Sequence, residues 1–227
     1  MKVIRNPRAR TVIRYAVPFA LFPALIAAAV IAGGRAYIAC ATLGAALTVV
    51  LFLAGFEQKR IGARRLILVS VFVALSVAGR FIPLFKPVSA LTMIAGIYLG
   101  RESGFASGAF SALISDFYFG FGPWTPFQML AWGLIGFFAG VMSEKLQRST
   151  ARQVVYGLVA GVVFSVIMDT WATLYFTGGF SADAYLGALA SSLPFTALYA
   201  ASNAIFILLL AKPFGEKLTR IKIKYGI

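Results

Sequence analysis

The sequence predicts an all-α integral membrane protein: two N-terminal transmembrane helices followed by a six-helix bundle, eight spans in all, with both termini cytoplasmic. Three observations carry that prediction. Of the 227 residues, 60% are hydrophobic and only 12% charged, with a mean hydropathy of +0.88, a composition too apolar for a soluble domain of this size. Apolar segments recur at about 12–33, 36–55, 66–85, 88–100, 103–120, 124–142, 153–176 and 190–211. Each approaches the roughly 20 residues that a spanning helix needs, except the short fourth. Finally, 18 of the Lys and Arg residues fall in alternate connections and the termini, against Arg35, Arg80 and Lys86 on the opposite side, a strong positive-inside asymmetry. The net charge of +14 therefore reports topology and not nucleic-acid binding.

The first segment follows a basic start (Lys2, Arg5, Arg8, Arg10, Arg14) like that of a signal peptide. Its apolar core is too long for one and lacks a small-residue cleavage site, so it is expected to stay as a helix. The second carries Cys40, the only cysteine, which excludes an internal disulfide. The run Tyr37-Ile38-Ala39-Cys40 fits a lipoprotein cleavage site poorly and reads as a packed or lipid-facing thiol. A polar connection, Phe56-Glu57-Gln58-Lys59-Arg60-Ile61-Gly62-Ala63-Arg64-Arg65, divides a leader of residues 1–60 from a six-helix domain of residues 61–227.

In the third segment Ser70, Ala74 and Ala78 recur every four residues, a smooth stripe suited to close helix association, with a partner or within the chain. The short 88–100 segment must be its own span, because merging it with a neighbour inverts every later connection and moves the basic tail outside. The fifth and sixth segments meet at a turn where Asp116, Trp124, Thr125 and Gln128 crowd together. Polar side chains so placed face a cavity or one another, since unpaired they are expensive in lipid.

Arg80 and Lys86, Asp169, Trp171 and Tyr175, and the deeper Tyr199 and Asn203 belong to the same outer zone by topology. Together with Asp116, Trp124 and Gln128 they form the candidate substrate-binding set. Simpler readings stand beside it: snorkelling for Arg80 and Lys86, an aromatic belt for Trp124, Trp171 and Tyr175, and a structural Asp116–Arg80 pair. The ligand should be small and partly aromatic or amphipathic.

The chain has no histidine and only seven scattered acids, so no zinc site, histidine base or catalytic triad is available. No catalytic residue, metal ligand or cofactor is expected. Without a GxxxxGK[ST] loop the chain cannot hydrolyse ATP by P-loop chemistry, so energy must come from elsewhere. Matching halves of discontinuous helices are missing too, which favours a binding subunit over a lone carrier.

Residues 64–215 resemble the substrate-binding S components of energy-coupling factor (ECF) vitamin transporters. Ala74-Leu75-Ser76-Val77-Ala78 followed by Gly79-Arg80 is similar to the AxxxA signature of that family's first helix. The resemblance implies that Ser70, Ala74 and Ala78 dock on the transmembrane T component. Lys86-Pro87-Val88, Ile94-Ala95-Gly96-Ile97-Tyr98-Leu99-Gly100 and Gly122-Pro123-Trp124-Thr125-Pro126-Phe127-Gln128-Met129 with Trp132-Gly133 resemble the cobalamin or corrinoid subset. The same resemblance implies an S-component-like bundle in a prokaryotic plasma (inner) membrane. Such a bundle would capture a vitamin at the outer face and deliver it, by toppling in the bilayer, with a T component and two ATP-binding-cassette ATPases. The two leading helices depart from the simplest family pattern. Two other classes stay open: a membrane enzyme acting on a lipid or isoprenoid through Asp116 and Asp169, and an assembly subunit that binds no small molecule.

Overall fold

A computed structural model describes residues 4, 6–55 and 59–225. Lys2, Arg5 and residues 56–58 of the polar connection lie outside the described residues. Each of the eight apolar segments forms a helix, although the third gives way to a loop at residues 80–85, and no strand occurs among the described residues.

The first membrane helix is continuous but not uniform. Asn6 accepts from the backbone N–H of Arg8 at 2.9 Å and starts α1 (Pro7–Ala16), with Pro7 placed where no N–H is needed. A π-helical turn at Val17–Leu21 links it to α2 (Phe22–Ala32). Pro18 supplies no N–H to the ladder, and Phe22 N–H reaches back five residues to the Val17 carbonyl. The chain reverses at Gly33 and Gly34, whose φ values of 62° and 55° favour glycine, and enters α3 (Ala36–Ala54).

The remaining helices are α4 (Lys59–Gly79), α5 (Val88–Leu99), α6 (Arg101–Phe119), α7 (Thr125–Val141), the short α8 (Ser143–Gln147), α9 (Thr150–Thr177) and α10 (Ala182–Tyr225). Five stretches are both long and apolar enough to cross a membrane: Pro7–Ala32, Ala36–Ala54, Gly62–Gly79, Thr150–Thr177 and Ala182–Tyr225. Helices α5 and α7 are apolar but shorter, with 12 and 17 residues.

Helix α6 is long enough but does not reach the same hydropathy, and its place in the fold explains why. Ser103, Ser107, Ser111 and Ser115 recur every four residues, all buried, beside buried Glu102, Gly104, Gly108 and Asp116. The helix is enclosed by α3, α4, α5 and α7, so its polar face meets protein and not lipid. Ser111 and Ser115 donate to carbonyls one turn back, which satisfies their hydroxyls locally.

Glycines set the closest crossing. A Cβ on Gly96 of α5 or Gly104 of α6 would collide with the carbonyl oxygen of Gly136 in α7, and one on Gly136 would collide with the Gly104 carbonyl. Three backbones meet there without side chains between them, the small-residue packing expected where apolar burial cannot separate helix from lipid. The leader hairpin packs on α6 and α7. Phe22 lies over Gly44 and edge-on to Phe105, Arg10 donates to the Ala54 carbonyl at 3.1 Å, and Arg14 pairs with buried Glu102.

Two spans differ most from their sequence-based bounds: the third, placed at about 66–85, is helical over Lys59–Gly79 and then gives way to a loop, and the last extends beyond its apolar run. The apolar pattern places the last helix at about 190–211, but the helix runs for 44 residues, with Pro194 and Pro213 inside it. Hydropathy marks only its apolar middle; the helical path continues into polar sequence at both ends.

Candidate functional site

The loop of residues 80–87 joins α4 to α5 and brings two cations to the ends of α6 and α7. Its backbone is unusual: Leu84, not a glycine, has φ of 63°, a costly conformation that the surroundings must hold. Ser202 in α10 donates to the Lys86 carbonyl at 3.0 Å and ties the loop to the last helix.

Arg80 is the organising residue. Its Nη1 donates to Asp116 Oδ1 at 2.6 Å and to Ser115 Oγ. The second Asp116 oxygen accepts from Thr125 Oγ1 at 2.7 Å. Asp116 is fully buried and the Arg80 side chain is 9% exposed, so the pair is desolvated and each partner needs the other. The guanidinium also lies 5.3 Å from the Trp132 ring centroid and 4.8 Å from that of Phe119, within cation–π range. Its Nε is buried without a hydrogen-bond partner.

Beside this pair is a small cavity of about 30 Å³ lined by Arg80, Lys86, Val88, Ser89, Gln128, Trp132, Phe164, Tyr199 and Asn203. Five members of the sequence-derived set therefore meet: Arg80, Lys86, Gln128, Tyr199 and Asn203. Burial, and secondarily the neighbouring Arg80 charge, push the Lys86 ammonium below its ordinary pKa. Gln128 Oε1 is buried and unpartnered. Asn203 donates to the Gly157 carbonyl at 3.0 Å, linking α10 to α9. Trp132 and Phe164 form a stacked wall, with centroids 4.9 Å apart and planes 13° from parallel. At about 30 Å³ the space is smaller than an aromatic ring as it stands, but ring faces and hydrogen-bonding side chains surround it.

The other members of the set go elsewhere. Asp116 does not line the cavity but holds Arg80 from behind. Asp169 accepts from Ser192 Oγ at 2.7 Å, a separate contact between α9 and α10. Trp124 donates from Nε1 to the Gly120 carbonyl at 3.2 Å and meets Trp171 edge-on at 5.7 Å, while Trp171 stacks on Tyr175. These three rings form their own cluster, and Trp171 and Tyr175 line a cavity with the leader hairpin. Sequence reasoning passed over Trp132 and Phe164 as site residues, because an aromatic ring inside an apolar run looks like any lipid-facing or core residue. Spacing held one signal: Gln128 and Trp132 are four apart, as are Tyr199 and Asn203, so each pair shares a helix face.

Ser70, Ala74 and Ala78 are exposed along α4. They line an apolar groove of about 650 Å³ with Val73, Phe81, Phe110 and Ile114.

Comparison with known proteins gives a family match. The family described as the ECF-type riboflavin transporter S component covers residues 60–220. No curated protein and no solved structure matches the chain. The S-component resemblance read from Ala74 to Trp132 is thus supported at family level, but its corrinoid refinement is not, since the matching family is named for riboflavin. Members of such a family are substrate-binding subunits of transporters and not enzymes, and the match spans most of the chain, the whole cavity and most of the groove along α4. The chain belongs to the S-component family of ECF-type riboflavin transporters.

Proposed function

We propose that this protein captures riboflavin in the cavity around Arg80, Lys86, Gln128, Tyr199 and Asn203 and passes it inward with a T component and two ATPases. The observation that carries the reading is a coincidence of place. The family match covers residues 60–220, and every residue lining the cavity comes from that stretch. The chemistry agrees. An isoalloxazine is a flat tricycle with carbonyl acceptors and an N–H donor along one edge. The Trp132–Phe164 wall offers ring area, and the Arg80, Lys86 and Gln128 side chains bring donors and an acceptor to the space once the lining opens. At about 30 Å³ the cavity admits a tricycle only if lining side chains move apart, and a corrin macrocycle would require far more.

In this reading the eight apolar segments all cross the bilayer, both ends of the chain are cytoplasmic, and the membrane is the prokaryotic plasma membrane. Residues 1–60 are an added membrane segment on a substrate-binding domain of residues 61–227, a division supported by the start of the family match at residue 60. The exposed stripe of Ser70, Ala74 and Ala78 is the T-component surface, its small side chains forming the floor of the groove.

Equilibrium binding to the purified, detergent-solubilised protein tests the substrate, with riboflavin, cobalamin and cobinamide compared in parallel. Riboflavin is expected to bind selectively. Capture of a corrinoid alone would keep the family and discard the substrate, and failure of every vitamin in a monodisperse sample would favour an assembly role. Asn203→Leu, which removes a polar lining group, should weaken riboflavin by roughly tenfold, the equivalent of one net hydrogen bond. Ala78→Trp should leave riboflavin affinity within about twofold while abolishing uptake by the assembled transporter; normal uptake would refute the docking surface.

A further inference from the structure

A polar cleft of about 480 Å³ opens where α5, α8, α9 and α10 converge, at the far end of α5 from the 80–87 loop. It shares no lining residue with the cavity around Arg80 or with the groove along α4. Lys212, Glu216 and Arg220 recur every four residues and so share one face of α10. All three line the cleft, with Thr219 beside them and Thr150 and Tyr98 facing them from α9 and α5. A Cβ on Gly215 would fall 2.3 Å from the Tyr98 hydroxyl oxygen, so the glycine is what lets that hydroxyl come up to α10.

The lining groups reach the space and have nothing else to bind. Lys212, Glu216 and Arg220 are exposed, and none of them forms an ion pair among the described residues. The hydroxyls of Tyr98, Thr150 and Thr219 likewise have no hydrogen-bond partner among the described residues, and none of the three is buried away from the cleft. Two cations against one carboxylate leave the lining net positive, so the ligand whose charge is met is an anion. Ammonium, guanidinium and three hydroxyls around one space suit the tetrahedral oxygens of a phosphate group better than a planar carboxylate. Arginine grips such oxygens with a planar fork and lysine with a point charge. Thr150 also begins α9, so the positive end of a 28-residue helix dipole lies beside the cleft. Glu216, between the cations, can accept from a hydroxyl or ammonium carried next to the phosphate.

We propose that this cleft is a phosphate-group site, separate from the vitamin cavity, which takes either a phospholipid headgroup or a free phosphate. Its volume falls within the roughly 300–1,000 Å³ usual for small-molecule pockets. In the proposed topology it faces the cytoplasm, within reach of both the inner leaflet and soluble phosphate. Unlike the diffuse attraction of a basic tail to a membrane, such a site depends on two particular cations and on neutral hydroxyls.

The test uses the full chain, purified and delipidated in detergent, with two probes. Phosphatidylglycerol is titrated and bound lipid counted by native mass spectrometry; inorganic phosphate is titrated by calorimetry in a phosphate-free buffer. One probe should bind saturably with a stoichiometry of one. Saturation by the lipid alone assigns the site to the membrane, and saturation by inorganic phosphate assigns it to a soluble phosphate. Lys212→Gln with Arg220→Gln should weaken binding at least tenfold, by roughly the worth of a charge-assisted hydrogen bond. Thr150→Val with Thr219→Val keeps every charge and should weaken it by about tenfold. Lys222→Gln with Lys224→Gln removes the same charge from residues outside the cleft and should leave affinity within about twofold. Monodisperse elution of each variant establishes folding. Saturation by neither probe would overturn the proposal, as would equal losses in the two lysine-containing double variants or unchanged affinity in the threonine pair.

Discussion

Asp116→Leu should cost about 3–5 kcal/mol of stability and remove most of the folded, monodisperse protein from a detergent extract. The single substitution leaves the Arg80 guanidinium, 9% exposed, without the carboxylate that it faces at 2.6 Å, and removal of one partner from a buried pair is penalised on that scale. Against a total stability of roughly 5–15 kcal/mol the loss is severe. The companion variant Arg80→Met with Asp116→Leu should recover folded yield, because apolar groups of similar volume can replace a buried pair with little loss. It should not recover riboflavin binding, since Arg80 lines the cavity. Size-exclusion profiles and thermal midpoints read the first effect and equilibrium binding the second. A stable Asp116→Leu single variant would show that the pair does not hold the fold.

Gly136→Leu is expected to give no folded protein, and Gly136→Ala a loss on the order of 3 kcal/mol, the upper range for overpacking a close-fitted interior. The added atoms would fall on the Gly104 carbonyl and its carbon, with Thr92 close by, and a backbone carbonyl inside a helix cannot swing away as a side chain can. The damage should reach the proposed binding site, because Trp132 lies one turn before Gly136 on α7 and stacks on Phe164. Thermal unfolding in detergent measures the cost. The same change at Gly179, where a Cβ would meet nothing within 4 Å, is the control and should shift the midpoint little.

The helices could be read from the sequence because lipid demands long apolar runs and water rejects them, so segment ends coincide with a change of solvent. That logic weakened where protein replaces lipid as the surroundings. Helix α6 has a serine at every fourth position and two buried acids, which hydropathy counts as unfavourable, yet the neighbouring helices make that face an interior. It failed for the last helix, whose basic end leaves the apolar region without ceasing to be helical. The π-helical turn at Pro18 was invisible for another reason: a proline in an apolar run announces a defect but not its form.

In the site, polarity was the readable signal and helical phase was not. Arg80, Lys86, Gln128, Tyr199 and Asn203 stand out as polar or amphipathic groups near one end of the bundle, and they meet. Asp116 stood out equally, but its partners are Arg80 and Thr125, so its contribution is to position and not to line. Trp124, Trp171 and Tyr175 shared the same level of the molecule but cluster with one another away from the cavity, with Trp171 and Tyr175 beside the leader, a choice made by the rotation of α7 and α9. No spacing rule applied to one helix at a time yields that rotation.

Helix α10 has 44 residues, about 66 Å at 1.5 Å per residue, roughly twice the 30 Å hydrocarbon thickness of a bilayer. A large part of its length must therefore lie outside the hydrocarbon or be strongly inclined to the membrane normal. Its basic end carries Lys212, Lys217, Arg220, Lys222 and Lys224, with Glu216 as the one acid among them. In the proposed topology, with this end at the cytoplasmic leaflet, each cation contributes about 1 kcal/mol of attraction to anionic headgroups, so this end works as electrostatic ballast. Because the helix that carries it also holds Tyr199 and Asn203, any tilt that lifts the ballast from the headgroups also rotates the walls of the cavity.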